Sequence, residues 1–496
     1  MSRCKHGGKD GIIHARTMKD RVVGEGVLLV LSALPIAWLV VALAVAKLKA
    51  WQATLAALAL AVALSLAFFQ DSLPAAKIPG VVASGMAFAL CPICLVVFAA
   101  LFTYAVTVES GAMDAIRAGL GKISDDRRVL ALLIAWAFGN FMEGMAGFGS
   151  AVAIPSAMLV AVGFDPLKSV LMCLVANTTP TAFGSVGVPL TTLAIESGSD
   201  VMSLAWTTAL LQCAVMSAGP VLVLLSLDGF KALRGMWRTI LLVDVAFIVP
   251  WLLVAKYVGC ELPNVVGGLC AMLAVGMAHR RGGFSGAGAQ LLAWAPFGFV
   301  VAVLGVNAFL PAHVKAYITP GVLVLAAGFA GGLVQRVPPK RLLAVLWRTA
   351  AGYWPAFATI CFVLALARVM GSSGMTSAMA AALVSAAGDA YPFASTAVGA
   401  LGGFVTGSGT SSSVLFGRLQ ADAAAAISVS PELLAAANIM GAGIGKMICP
   451  QSIAIGAAAA GLDGAESRLF KAALPWFAAV ALAASVLTGV AALCRF

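Results

Sequence analysis

The chain has 496 residues, 61% of them apolar and only 10% charged. A soluble domain runs near ~45–50% apolar and ~25% charged, so a water-soluble surface cannot be built from this composition. The net charge of +11 does not point to a nucleic-acid partner, because the basic residues sit between apolar runs, where orientation in a bilayer explains them.

Residues 1–26 form a polar, basic tail. The apolar run behind it is too long for a secretory signal core and lacks a small-residue cleavage site. Full spans are expected near 27–46, 51–69 and 81–106, each about long enough to cross ~30 Å of hydrocarbon. Residues 129–197 are apolar but crowded with Gly, Pro, Ser, Thr and Asn. Further spans are expected near 202–226, 239–256, 262–279, 288–310, 318–335 and 353–371. A second crowded region follows at 393–462, and a last span at 471–493. No ten-residue alternation appears, which argues against a β-barrel and for an all-α polytopic membrane protein. Irregular backbone survives at membrane depth only where protein or a water-filled cavity satisfies its polar groups, so the crowded regions are where a pathway is sought. One broken span in each gives about twelve spans plus two re-entrant hairpins. The expected organisation is a tail at 1–26, leading helices at 27–106, a first repeat core at 107–227, central helices at 228–352, and a second repeat core with the last span at 353–496.

The crowded regions resemble each other. Gly139-Asn140-Phe141-Met142-Glu143-Gly144 and Gly402-Gly403-Phe404-Val405-Thr406-Gly407 share the pattern G-x-F-x-x-G. Each leads through a Gly/Ser-rich stretch to a loop ending in Pro, Asp165-Pro166 or Ser430-Pro431. Then comes Ala176-Asn177 or Ala437-Asn438. The interval from Asn177 to Pro189 equals that from Asn438 to Pro450. The order suggests a duplicated unit, a re-entrant hairpin followed by a broken helix. Such matched breaks in two halves point to a transporter binding site.

An inverted repeat follows if six full spans separate the two units. One face then collects Lys47, Arg127, Arg128, Lys168, Arg234, Arg280, Arg281, Arg336, Arg341 and others, against Lys77, Lys256, Lys315 and Arg495 on the opposite face. That asymmetry makes the first face cytoplasmic and puts both chain ends outside. The basic tail contradicts this for the first span, and a start at Met18 would remove most of the conflict.

Charges deep in a membrane cost ~2.5–3.5 kcal/mol each and need a reason. Glu143 and Lys446 lie in Gly-rich breaks, the latter within Gly-Ile-Gly-Lys-Met-Ile-Cys-Pro. Arg368 reads as snorkelling from the end of its span and Asp244 as interfacial. Asn177, Thr178 and Thr179 in one repeat are expected to face Thr410, Ser411, Ser412, Ser413 and Asn438 in the other. Half-helix N-termini with such side chains suit a carboxylate and a hydroxyl. The same residues also read as helix caps. The four His, among them His279 and His313, are far apart. Cys91 and Cys94 read as small apolar residues, and no metal or cofactor motif appears.

Gly139–Pro155 (G-N-F-M-E-G-M-A-G-F-G-S-A-V-A-I-P) and 176–189 (A-N-T-T-P-T-A-F-G-S-V-G-V-P) resemble the lactate permease family. So do T-G-S-G-T-S-S-S-V-L-F-G at 406–417 and G-K-M-I-C-P-Q-S-I-A at 445–454. The likeness runs from about residue 27 over nearly the whole chain. It implies proton-coupled uptake of lactate and glycolate across the bacterial inner membrane, on the inverted-repeat architecture of the broader ion transporter superfamily. Relatives carry an acid where this chain has Gly409 and Asn where it has Ser413, and Arg368 is unusual.

The expected site is therefore Glu143 for proton coupling, with Asn177, Thr178, Thr179, Thr410, Ser411, Ser412, Asn438 and Lys446 for a small monocarboxylate. Lys446 has two expected roles, clamping the carboxylate or replacing a sodium ion beside Glu143. Sodium coupling stays open as the alternative, as does a homodimer. A membrane enzyme is disfavoured because the breaks hold no His, and a passive channel because matched broken helices favour alternating access. The charge asymmetry makes a testable statement: a membrane-impermeant thiol reagent should label Arg341→Cys from the cytoplasmic side and not from the periplasm.

Overall fold

The structure is a computed structural model describing residues 25–46, 48–279, 287–310, 319–462 and 464–494. The tail through residue 24 lies outside the described residues, as do Lys47, Arg280, Arg281, His313, Lys315 and Arg495. Among the described residues there are helices and no strand.

In chain order the first half comprises α1 (Glu25–Val40), α2 (Ala50–Phe68), α3 (Ala75–Glu109), α4 (Ala112–Gly121), α5 (Arg127–Met145), α6 (Ser150–Ala161), α7 (Pro166–Ala176), α8 (Val188–Ser197) and α9 (Val201–Asp228). The centre holds α10 (Trp237–Tyr257), α11 (Pro263–His279), α12 (Ala287–Ala308) and α13 (Pro320–Val334). The second half comprises α14 (Pro339–Ser372), α15 (Met375–Ala387), α16 (Tyr391–Thr406), α17 (Gly409–Ala426), α18 (Pro431–Lys446), α19 (Pro450–Ala459) and α20 (Glu466–Leu493). One order of elements occurs twice: a long helix (α3, α14), a short one (α4, α15), a helical hairpin (α5–α6, α16–α17), a broken helix (α7–α8, α18–α19) and a closing helix. The two closing helices, α9 and α20, have 28 residues each.

The local sequence explains where the broken helices start. Asp165 caps α7 by accepting from the Lys168 amide, and Ser430 caps α18 by accepting from the Leu433 amide. Each is followed by Pro at the first helical position, where a missing N–H costs nothing.

Among the described residues eight helices are long and apolar enough to cross a bilayer, and the α18–α19 pair, bent by 44°, makes nine. The expected spans near 27–46, 262–279 and 318–335 appear as shorter apolar helices. By contrast α5, expected as a hairpin arm, is long enough by itself. The exterior is apolar: on α10, Leu241, Val245, Val249 and Leu253 are exposed while Val243, Phe247 and Trp251 are buried. That stripe suits lipid, and the chain is a multi-pass membrane protein.

Two groups of helices emerge from the packing. In an outer bundle α14 lies against α2 and α3, and α13 against α3 and α12. An inner bundle contains both hairpins, both broken helices, α9, α10, α11 and α20. The bundles meet where α14 and α15 touch α17, and where Trp294 and Phe297 of α12 pack on Phe141 of α5.

Helices α16 and α18 pack backbone against backbone. Gly399 and Gly403 face the carbonyls of Asn438 and Ala442; Gly441 and Gly445 face those of Thr396 and Ala400. A Cβ at any of the four would overlap the opposing oxygen, so only glycine permits this approach. Overpacking costs roughly 1–3 kcal/mol. Gly445→Ala should therefore lower the thermal unfolding midpoint of the detergent-solubilised protein by several degrees. Gly352→Ala, whose new Cβ meets nothing within 4 Å, is the control.

Candidate functional site

The α5–α6 hairpin turns at Ala146–Gly149, beside the break that runs from Asn177 to Gly187 between α7 and α8. Glu143 and Asn140 stand on the last turns of α5, just after a π-helical stretch at Leu132–Phe138. The final carbonyls of a helix lack partners within it. Here the break supplies them: Ser185 N–H donates to the Glu143 carbonyl at 2.7 Å and Val186 N–H to the Gly144 carbonyl at 2.8 Å. This holds Ser185 and Val186 at φ of 46° and 56°. For a β-branched residue that is a strained conformation, typically worth ~1–3 kcal/mol.

The rest of the break is also satisfied by protein. Asn264 of α11 donates its Nδ2 to the Pro180 carbonyl at 2.6 Å and accepts from Trp251 Nε1 at 3.0 Å. Thr178 and Thr179 return their hydroxyls to the Val175 and Ala176 carbonyls, so they cap the end of α7. Asn177 is the C-cap itself.

Against this break lies α18. Gly443 faces the Thr178 carbonyl, and a side chain there would collide with it. Lys446, the last residue of α18, donates its Nζ to Glu143 Oε1 at 2.6 Å. The two side chains are only 6% and 4% exposed, so the pair is closed off from solvent. Gly184 packs directly on Glu143; a Cβ there would sit 3.1 Å from Oε1. The negative C-terminal end of α18 adds to the stabilisation of the ammonium.

The glycines of 441–445 correct one expectation. They do not break the helix: α18 runs unbroken through them to Lys446, and the bend follows at Met447–Cys449. They are small because α16 and the first break press against them.

Thr410, Ser411 and Ser412 occupy the first turn of α17, where Ser408 is the N-cap and accepts from the Ser411 amide. All three are buried, and Ser412 Oγ donates to the Gly399 carbonyl at 3.2 Å. A Cβ at Gly409 would touch Thr181 Cγ2 and Pro189, so the second hairpin reaches the first break. Gly149 in turn abuts Ile455 of α19, and Gly407 abuts Cys449 and Gln451 at the second break. Each hairpin tip thus meets its own break and the distal half-helix of the other repeat. Glu143, Lys446 and the Asn177–Thr181 segment come together, with the start of α17 adjoining. Asn438 sits two turns before Lys446 and is tied elsewhere. Its Oδ1 accepts from Gln420 Nε2 at 3.5 Å, and Gln420 Oε1 accepts from Tyr391 and Ser395.

Several buried polar atoms have no protein partner: Glu143 Oε2, Asn140 Oδ1, Asn177 Oδ1, Asn438 Nδ2 and Ser413 Oγ. Buried groups of this kind are ordinarily paired, so they mark places for water or a ligand. A cavity of ≈ 200 Å³, lined by Met202, Cys260, Glu261 and Asn307 among others, lies to one side. It adjoins the break through Cys260, whose carbonyl faces Gly187. Nothing in the sequence singles out Asn264, Trp251 or Gln420, which are lone polar side chains in ordinary apolar spans. Among the described residues no three His, Cys, Asp or Glu side chains are grouped to hold a metal ion.

Over residues 29–315 and 300–494 the sequence matches the family described as L-lactate permease. It is 35% identical to an L-lactate permease of Streptococcus iniae, covering 82% of this chain and 93% of that one. It is 33% identical to an L-lactate permease of Escherichia coli K12, covering 89% and 91%. It is 32% identical to the glycolate permease GlcA of the same strain, covering 90% and 92%.

A buried pair stripped of one partner leaves an unpaired charge, at a cost of roughly 3–5 kcal/mol, whereas removing both charges is far cheaper. Glu143→Gln and Lys446→Met should each lower the unfolding midpoint sharply, and the double variant should recover most of it. Additive losses in calorimetry would contradict the pairing.

Proposed function

The chain belongs to the L-lactate permease family, and on that premise we propose that it imports lactate and related 2-hydroxy monocarboxylates such as glycolate across the bacterial inner membrane, by proton symport. A permease family points to transport and away from catalysis. The observation that carries the reading is the buried Glu143–Lys446 pair.

The chemistry follows from charge. The empty pair is neutral. A substrate carboxylate on Lys446 would leave Glu143 as an uncompensated buried anion. A proton on Glu143 alone would leave Lys446 as an uncompensated cation. With both loaded, the site is neutral again. Buried net charge is costly, so the empty and the doubly loaded forms are the cheap ones to move. Proton and substrate are thereby coupled. The free Oε2 of Glu143 can receive the proton, after which Lys446 is released to the carboxylate.

The two substrates named for the relatives, lactate and glycolate, share a carboxylate and a 2-hydroxyl. Asn177 Oδ1 is an unpaired buried acceptor suited to read that hydroxyl, with the buried Thr178, Thr179, Thr410, Ser411 and Ser412 as further candidate contacts and Asn438 Nδ2 an unpaired donor two turns along α18. A sodium ion at Glu143 would satisfy the same charge count, so coupling is decided by the driving gradient.

Proteoliposomes test this directly. An inward proton gradient should drive lactate accumulation and a sodium gradient alone should not. Glycolate should compete with lactate, and propionate, which lacks the hydroxyl, should compete about 10–100-fold less well because the site's own polar groups stay unpaired. Glu143→Gln should keep lactate exchange but lose proton-driven accumulation. Sodium-driven uptake would replace the coupling ion, and equal competition by propionate would remove the hydroxyl-reading site.

A further inference from the structure

We propose that Arg368 and Glu196 form a latch between the outer and inner bundles, which holds the arrangement described here and opens in each transport cycle. The proposal rests on the transport reading, since it concerns how the two bundles move.

Arg368 stands near the end of α14, with its guanidinium 5.6 Å from the Phe88 ring of α3. Both helices belong to the outer bundle. Its Nη2 lies 3.4 Å from Glu196 Oε1, in the last turn of α8. Glu196 belongs to the inner bundle: a Cβ at Gly417 of α17 would lie 3.0 Å from its Cβ, so α8 and α17 hold it between them. Several other ion pairs among the described residues stay within one bundle. Glu143–Lys446 joins α5 to α18, Lys168–Asp228 joins α7 to α9, and Arg418–Asp422 lies within α17. Glu109 binds Arg341 and Arg348 entirely inside the outer bundle. The Arg368–Glu196 contact crosses.

Its geometry suits a contact that is made and broken. At 3.4 Å it is an ion pair without an aligned hydrogen bond, and Glu196 Oε1 has no hydrogen-bond partner. Arg368 is 39% exposed, so it has room to swing away, whereas Glu196 is 8% exposed and is held in place. Alternating access requires one bundle to move against the other. A shift of a few ångströms separates this pair and leaves a buried carboxylate with a weaker partner. The pair therefore biases the equilibrium toward the present arrangement by its differential interaction with the two states. Arg418 is carried on α17, which packs against α8, and is itself paired with Asp422.

The test follows Gln451, which is exposed at the start of α19. In a background with native cysteines replaced, Gln451→Cys is labelled by a thiol reagent in the full-length protein without substrate. Adding Arg368→Ala should slow labelling several-fold, because the present arrangement loses population. Adding Arg368→Lys, which keeps the charge, should restore the rate. Equal rates in all three proteins would overturn the latch and leave the transport reading untouched. Absence of lactate uptake by the unmodified protein would overturn the transport reading and leave the labelling result standing. Where Arg368→Ala fails to fold, Glu196→Cys with Arg368→Cys is bridged by a reducible bis-thiosulfonate reagent. Bridging should stop exchange and reduction should restore it; exchange that persists across the bridge would overturn the latch.

Discussion

A lysine and a glutamate meeting where water does not reach is the constraint on which the centre of this molecule depends. Either charge alone would be prohibitive there, and the pair is tolerable only at hydrogen-bonding distance. The 2.6 Å contact joins residues from the two halves of the chain, so the halves must approach backbone to backbone. That requirement places the glycines. Gly443 admits the Thr178 carbonyl, Gly184 admits the Glu143 carboxylate, and the four glycines between α16 and α18 bring Lys446 to the level of the first hairpin tip. A methyl group at several of these positions would push the ammonium away from its partner.

The first break is held by the same economy. Unwound backbone inside a membrane protein needs partners. The carbonyls at the end of α5 need donors, and the amides of Ser185 and Val186 need acceptors; the two deficits cancel. Asn264 closes the remaining gap at Pro180, with Trp251 fixing its orientation. The strained φ of Val186 is the cost of that arrangement, and it persists because hydrogen bonds on both sides of it are buried. The hairpin tip and the break therefore behave as one rigid piece.

How far the sequence could be read depends on contrast. Glu143 and Lys446 stand out because a charge in a Gly-rich apolar run has few innocent explanations, and the structure places them in contact. The paired order of Pro, Asn and Gly in the two crowded regions is visible for the same reason. The role of Gly441, Gly443 and Gly445 was not legible, because a glycine that breaks a helix and a glycine that admits a neighbour look alike along the chain. Only the facing residues decide, and Thr396, Ala400 and Thr178 are distant in sequence. Gln420 and Asn264 were invisible because one amide in a long span has no motif around it. Thr178 and Thr179 were read as ligand contacts and caps at once, and the bonds their hydroxyls make are capping bonds.

The Glu143–Lys446 and Arg368–Glu196 pairs obey one rule in opposite ways. A buried carboxylate that loses its cation stays costly until a positive charge replaces it or that cation returns. In the proposed proton symport the replacement at Glu143 is a proton, which frees Lys446 and makes the exchange chemical. At Glu196 the proposed latch gives up Arg368 only while the bundles are apart, which makes the exchange mechanical. The inner pair sits wholly inside the inner bundle, so its opening changes the charge of that bundle without moving it. The outer pair spans the bundles, so its opening permits movement without changing the charge carried. In the proposed cycle loading and movement thus remain separate steps, linked only because the inner bundle moves cheaply when its centre is neutral.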